Sequence, residues 1–170
     1  FQRGFAGLTE VSASPPGEAS DSFWSWREMM YRFAGRIEPE QLEAIATWLY
    51  AEMLAAGYTS VCEFHYLHHQ PDGRPYDDAA AMSRALIAAA RETGIRLTLL
   101  PVLYMTGGFD GRPLSERQRR FGHEVDAYLR LVDTLRKEEG ESLRIGCALH
   151  SLRAVPEAAM RATIAGLPGD

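Results

Sequence analysis

Gly57-Tyr-Thr-Ser-Val-Cys-Glu-Phe-His-Tyr-Leu-His-His69 decides how this chain folds. A short apolar run opens it and a cluster of aromatic, imidazole and hydroxyl side chains closes it. That pattern reads as a buried strand that delivers polar chemistry at its C-terminal end. The same grammar recurs at residues 96–104, where Leu-Thr-Leu-Leu-Pro-Val-Leu runs into Tyr-Met-Thr-Gly-Gly. It recurs again at residues 143–153, where Leu-Arg-Ile-Gly-Cys-Ala-Leu runs into His-Ser-Leu-Arg. If the three strands are parallel, their polar ends share one face.

Helical patterns separate these strands. Phe23 to Phe33 read as a short aromatic helix with Asp21 or Ser22 as N-cap. Pro39 suits a first helical position, and Leu42, Ile45, Ala46, Leu49, Met53 and Leu54 recur at helical spacing until Gly57. A second long helix is expected over residues 77–93, with Met82, Leu86, Ala89 and Ala90 on its apolar face and Gly94 as its stop. After Gly107, Gly108 and Gly111, Ser115 is expected to cap one long helix whose buried stripe is Phe121, Val125, Tyr128, Leu129, Val132 and Leu135. A last helix covers residues 156–165. Three alternations of apolar strand and amphipathic helix are the signature of a parallel sheet covered by helices. A doubly wound α/β sheet and a (β/α)8 TIM barrel both fit, and in either the ligand binds at the strand C-terminal ends.

Composition narrows the function. The chain has 170 residues, 46% apolar and 24% charged, which suits one globular domain over residues 1–170 with a real core. A net charge of -5, with no long Lys/Arg block, argues against nucleic acid or an anionic membrane as partner and leaves a small molecule. Cys62 and Cys147 lie within apolar runs and are expected to be small buried hydrophobes; without Cys-x-x-Cys spacing, a reducing cytoplasmic setting follows. No run approaches the roughly 18 to 20 apolar residues of a membrane span. The chain starts at Phe1 and ends in Gly166-Leu-Pro-Gly-Asp170, a turn composition, and is expected to be a piece of a longer protein. Residues 9–21, rich in Pro, Gly and Ser, read as a loop that could serve as a lid.

Several side chains could carry chemistry, each with a plainer reading beside it. His65, His68 and His69 invite a metal, yet on an extended segment His65 and His68 point to opposite faces, so the spacing favours histidines that hydrogen-bond and shape a loop. Tyr66 either donates its phenol proton to a substrate carboxylate or caps the rim as an aromatic. His150 suits proton exchange or polarising a substrate, and Arg153 suits a bidentate anion clamp; a purely structural arginine is the alternative. Arg27 follows Phe23-Trp-Ser-Trp26 and is either stacked and aimed into a cleft or paired with Glu28. Glu63, charged inside an apolar strand, must be paired or face a pocket. Neither a dinucleotide fingerprint nor a Walker motif accompanies the glycines near 107, and no nucleophile elbow is present.

Taken together, Phe1-Gln2-Arg3 with Ala6-Gly7-Leu8, Asp21-Ser-Phe-Trp-Ser-Trp-Arg27-Glu, the 57–69 stretch, Leu99-Leu-Pro-Val-Leu-Tyr104 and His150-Ser-Leu-Arg-Ala-Val155 resemble the formimidoylglutamate deiminases of the amidohydrolase superfamily. The resemblance implies a partial metal-dependent-hydrolase (β/α)8 barrel, from just after the first strand through the fourth strand and its helix. It implies a hydrolase acting on the C–N bond of a linear amidine, converting N-formimino-L-glutamate to N-formyl-L-glutamate and ammonia with zinc as cofactor. It places the zinc ligands and the catalytic acid/base groups outside residues 1–170, so this segment alone would be inactive. By the same resemblance Gln2 and His150 contact the substrate near its formimino group, while Arg27, Tyr66 and Arg153 hold the carboxylates of a dicarboxylate. A homodimer is one option for the assembly. The alternatives are a related amidohydrolase deaminating a heterocyclic base, and a non-catalytic carboxylate-binding module.

Overall fold

The computed structural model describes residues 1–7 and 23–167, with side chains from Trp26 onward in the first helix. The 9–21 loop and the expected N-cap at Asp21 or Ser22 lie outside the described residues. Helix α1 spans Phe23–Ala34, and helix α2 spans Pro39–Ala55. Pro39 sits at the start of α2, as its fixed φ and missing N–H favour. Glu38 caps that helix, its own N–H bonded to Gln41 Oε1 at 2.9 Å. Strand β1 (Ser60–His65), helix α3 (Ala81–Thr93), strand β2 (Arg96–Leu103), helix α4 (Val125–Arg136), strands β3 (Leu143–Ile145) and β4 (Ala148–Leu149), and helix α5 (Glu157–Gly166) follow.

All the pairings are parallel, with β2 between β1 on one side and β3 and β4 on the other. A partial barrel of the kind expected is therefore what the chain builds, with every strand C-terminus on one edge. Leu97, Leu99 and Ile145 of the sheet form one core with Leu42 and Tyr50 of α2, Leu86 and Ile87 of α3, and Tyr128 and Val132 of α4. Each such fully buried aliphatic side chain contributes about 1.5–3 kcal/mol.

Several expectations need correction. The helix expected over residues 77–93 begins only at Ala81, because Asp78 accepts the Ala80 N–H (3.0 Å) in a local turn. Its stop at Gly94 is as expected, with φ at 81°. The single long helix from Ser115 is two elements. Ser115 caps a 3-10 turn (Glu116–Phe121), the chain extends through Gly122, and α4 begins at Val125. The last helix starts at Glu157 with Pro156 as its N-cap.

The third strand is interrupted at Gly146 and Cys147, yet its register does not shift: Leu97 pairs with Leu143 and Val102 with Ala148, the same offset. Pro101, opposite the gap, has no N–H to give the ladder. The Tyr128 hydroxyl enters instead, donating to Pro101 O (2.9 Å) and accepting the Ala148 N–H (3.1 Å).

The strands are not covered on both faces. Ser60, Cys62 and Phe64 of β1 alternate exposed with the more buried Val61, Glu63 and His65, so one face of β1 packs and the other is bare. Cys62 is accordingly exposed and Cys147 only half-buried, against the expectation of two buried thiols.

Candidate functional site

A polar, ring-bearing residue directly follows three of the strands: Tyr66 follows β1, Tyr104 follows β2, and His150 follows β4. His150 continues the ladder, its N–H bonded to Leu103 O at 3.0 Å, so Tyr104 and His150 stand side by side with ring centroids 4.4 Å apart. The Tyr66 ring meets His150 edge-on at 5.6 Å. Phe121, carried by the 3-10 turn, packs edge-on against Tyr66 at 5.2 Å and closes the floor. Helix α1 lies over this edge and adds Trp26, Arg27, Met30 and Tyr31; Arg153 completes a cavity of about 220 Å³.

Each cation donates to neutral groups among the described residues. Arg27 donates from Nε (3.0 Å) and Nη2 (2.7 Å) to the Tyr31 hydroxyl, and its guanidinium lies 5.1 Å from that ring's centroid. It does not pair with Glu28, whose carboxylate is bound to Arg117 instead. Arg153 donates to Tyr104 Oη (3.0 Å) and Gly107 O (3.1 Å). Its backbone is pinned as well, because Thr106 Oγ1 donates to Arg153 O at 2.9 Å. Among the described residues no carboxylate lines this cavity, although the chain as a whole is acidic.

Burial, together with the Arg153 and Arg27 charges, pushes the His150 imidazole down to about 4, so it is neutral near pH 7. Burial pushes the Tyr66 phenol up to about 12, with a partly offsetting hydrogen bond from Gln2, so it remains a donor. Gln2 Nε2 reaches Tyr66 Oη at 3.2 Å from a neighbouring cleft of about 260 Å³ lined by Phe1, Arg3, Leu49, Glu63 and Phe64. The Tyr66 side chain is common to both cavities. Glu63 turns out both paired and facing a pocket, since Tyr50 donates to its carboxylate at 3.2 Å. The five residues to which the resemblance gives a role, Gln2, Arg27, Tyr66, His150 and Arg153, thus line two cavities that share Tyr66.

Tyr31, Tyr104 and Gln118 were missed. Tyr104 carried the same signal as Tyr66 and His150, a polar ring directly after a strand. Tyr31 and Gln118 carried none, since their place depends on how α1 and the 3-10 turn pack over the strand ends.

The three histidines near His65 behave otherwise than expected in one respect. The strand stops at His65, so the chain bends and the His65 and His68 rings meet at 5.2 Å instead of facing apart. His123, not noted in the sequence, joins them at 4.5 Å from His68 and 4.7 Å from His69. His68 Nε2 lies 3.0 Å from Val102 O, and His69 Nε2 lies 2.6 Å from Gly122 O, so these imidazoles are spent on backbone carbonyls. Among the described residues no group of three or more His, Cys, Asp or Glu is arranged to hold a metal ion. The metal of the resembled family does not fit any site described in this chain.

No family model matches the chain. It superposes on an amidohydrolase from Brucella melitensis with a TM-score of 0.90 and 48% identity, over 99% of this chain and 37% of that one. An atrazine chlorohydrolase mutant from Arthrobacter aurescens TC1, solved with zinc and atraton, shares the fold at a TM-score of 0.66 and 19% identity, over 95% of this chain and 34% of that one. These likenesses, with the parallel sheet and the pocket at its C-terminal edge, define the class: the chain carries part of an amidohydrolase (β/α)8 barrel. Within that class it is 54% identical over 156 residues, 91% of its length, to formimidoylglutamate deiminase of Pseudomonas aeruginosa. The resemblance drawn from the motifs between Phe1 and Val155 is thereby borne out. The chain spans about a third of the length of that relative, 34%.

Proposed function

We propose that the full-length protein is a formimidoylglutamate deiminase, hydrolysing N-formimino-L-glutamate to N-formyl-L-glutamate and ammonia in histidine degradation in the cytoplasm. One observation carries the reading: two guanidiniums, a protonated phenol and a neutral imidazole converge on a cavity that no carboxylate among the described residues lines, in a chain of net charge -5. Such a lining attracts a dianion, and charge-assisted bonds from arginine are among the stronger ones available to hold it. Arg27, Tyr66 and Arg153 bind the two carboxylates of the substrate. Gln2 and His150 face its formimino group, where a neutral imidazole can accept a hydrogen bond from the cationic amidine and a protonated one would repel it. A divalent metal, zinc in the resembled family, supplies an activated water in the complete enzyme, and its ligands lie outside residues 1–170. Residues 1–170 alone are then inactive.

The test is ammonia release from N-formimino-L-glutamate by the metal-loaded full-length protein. Arg153→Met is expected to raise KM roughly 10- to 100-fold, the loss of one or two charged hydrogen bonds of about 1.5–3 kcal/mol. An active enzyme whose KM is indifferent to Arg153→Met would instead point to a substrate without carboxylates, such as a heterocyclic base.

A further inference from the structure

The Tyr104 hydroxyl receives two hydrogen bonds, from Arg153 Nη2 at 3.0 Å and from Gln118 Nε2 at 2.9 Å. The direction of both is forced. A guanidinium carries donors only, and the Gln118 amide is oriented by its other end, where Oε1 accepts the Ser115 N–H at 3.0 Å in the capping box of the 3-10 turn. A phenol oxygen accepts twice and donates once. Arg153 and Gln118 fill both acceptor positions, so the phenol proton remains to be given away, and no acceptor for it lies among the described residues. Tyr104 is only 2% exposed, and its side chain helps to line the cavity that holds Arg153 and His150. A buried donor left without an acceptor is costly, which makes this proton a pointer to what the cavity binds.

We propose that Tyr104 binds the ligand directly, donating its phenol proton to the same carboxylate that Arg153 clamps. The inference rests on the carboxylate reading of this cavity and adds to it a neutral donor at the side of the guanidinium. Arg153 Nη2 and Tyr104 Oη stand 3.0 Å apart, so the second Nη2 proton and the phenol proton can meet the two oxygens of one carboxylate side by side. Both parts of the clamp are firmly mounted. Thr106 Oγ1 donates to Arg153 O at 2.9 Å, and the Met105 and Thr106 N–H groups bond Ala154 O at 2.8 and 3.0 Å, which laces the segment after β2 to the segment of Arg153. Tyr104 O in turn accepts the His123 N–H at 3.0 Å. Donors held in place before the ligand arrives lose little freedom on binding. With its acceptor positions filled, the Tyr104 hydroxyl can join a ligand only by giving its proton. A carboxylate, which only accepts, suits it; an amide presenting its N–H to the same spot does not.

Titration calorimetry of the metal-loaded full-length protein with glutarate, a dicarboxylate without the reacting group, reads binding apart from turnover. Tyr104→Phe keeps the ring and removes only the hydroxyl, and it is expected to weaken glutarate binding about 10- to 100-fold, the range for one hydrogen bond to a charged group. The Arg153→Met background separates direct donation from an effect passed through the arginine. There Tyr104→Phe should still weaken glutarate binding by about tenfold. No further loss in that background, or no loss in the single variant, overturns the proposal, because Tyr104 then acts only on Arg153 or not at all. Should Tyr104→Phe fail to fold, a ring-fluorinated tyrosine at position 104 keeps every contact while making the phenol a stronger donor and a poorer acceptor. Tighter glutarate binding supports donation to the ligand, and weaker or unchanged binding overturns it. Ammonia release with a glutarate affinity indifferent to Tyr104→Phe sinks the proposal alone. Glutarate binding that depends on the Tyr104 hydroxyl in both backgrounds, without ammonia release, sinks the deiminase reading alone. A parent protein that binds no glutarate overturns the carboxylate reading and the part of Tyr104 with it.

Discussion

Arg120 shows how a single side chain can hold this site together from behind. It is 1% exposed, makes no ion pair among the described residues, and donates to three backbone carbonyls, Ala34 O, Ile37 O (2.8 Å) and His69 O (3.0 Å). Burial pushes the guanidinium downward, offset in part by Tyr76 and Glu38 nearby. Its own carbonyl takes the N–H groups of His68 and His69, both at 3.0 Å, so one residue ties α1 and the segment after it to the loop after β1. Arg120→Met should lower the stability of the full-length protein by about 2–4 kcal/mol, since buried carbonyls lose their donors. Arg120→Lys should not restore it, because an ammonium cannot reproduce the planar fork. Denaturant midpoints of the two variants decide this, and a methionine variant as stable as the parent would refute it. None of this could be read from Arg-Arg-Phe in the sequence. Tyr66 and His150 could, because a polar residue directly after an apolar run must sit at the strand's end. A cation buried against carbonyls from remote segments leaves no local pattern.

At the scale of elements, the seam between the loop after β1 and the start of α4 is lined by touching imidazoles. Burial holds His65 near 3 and His123 near 2, and pushes His68 well below its ordinary range. Among the described residues His65 Nε2 and His123 Nε2 have no hydrogen-bond partner. In the unfolded chain the same groups titrate near 6.5. The folded form therefore stays neutral while the unfolded form gains protons as pH falls. Stability is full above about pH 6.5 and declines below it, by up to about 1.4 kcal/mol per buried histidine for each pH unit. Denaturant midpoints at pH 7.5, 6.5 and 5.5 should fall steeply over the last step, and a flat profile would contradict the buried cluster. Elements themselves were legible to differing degrees. Gly94 and Pro39 mark real helix boundaries because one tolerates positive φ and the other fits a first turn. The break at Gly122 was hidden, because Phe121 and Val125 keep helical spacing across a segment whose extended backbone is set by packing.

At the scale of the molecule, the bare face of β1 separates the chain taken alone from the same residues within a longer protein. Phe64 is 43% exposed and Cys62 lies on the same face, where a barrel would turn inward. In isolated residues 1–170, Cys62 should react with a small maleimide about tenfold faster than in the full-length protein, as exposure governs thiol access. Equal rates would mean that this face is open in both. Parallel α/β alternation was legible because each strand brought its own hydrophobic run and each helix its own stripe; which face stayed uncovered was not, since Val61 on one face and Cys62 and Phe64 on the other read alike. The hydroxyl of Tyr128, set between Pro101 and Ala148, has one more consequence. Repeating units of such barrels invite recombination, in which one strand with its helix is exchanged for that of a relative. Here the second strand's proline is sutured by the following helix's tyrosine to the strand after that. A chimera whose crossover falls between residues 101 and 128 inherits either a wound without its stitch or a stitch without its wound, so these three pieces must be transplanted as one graft.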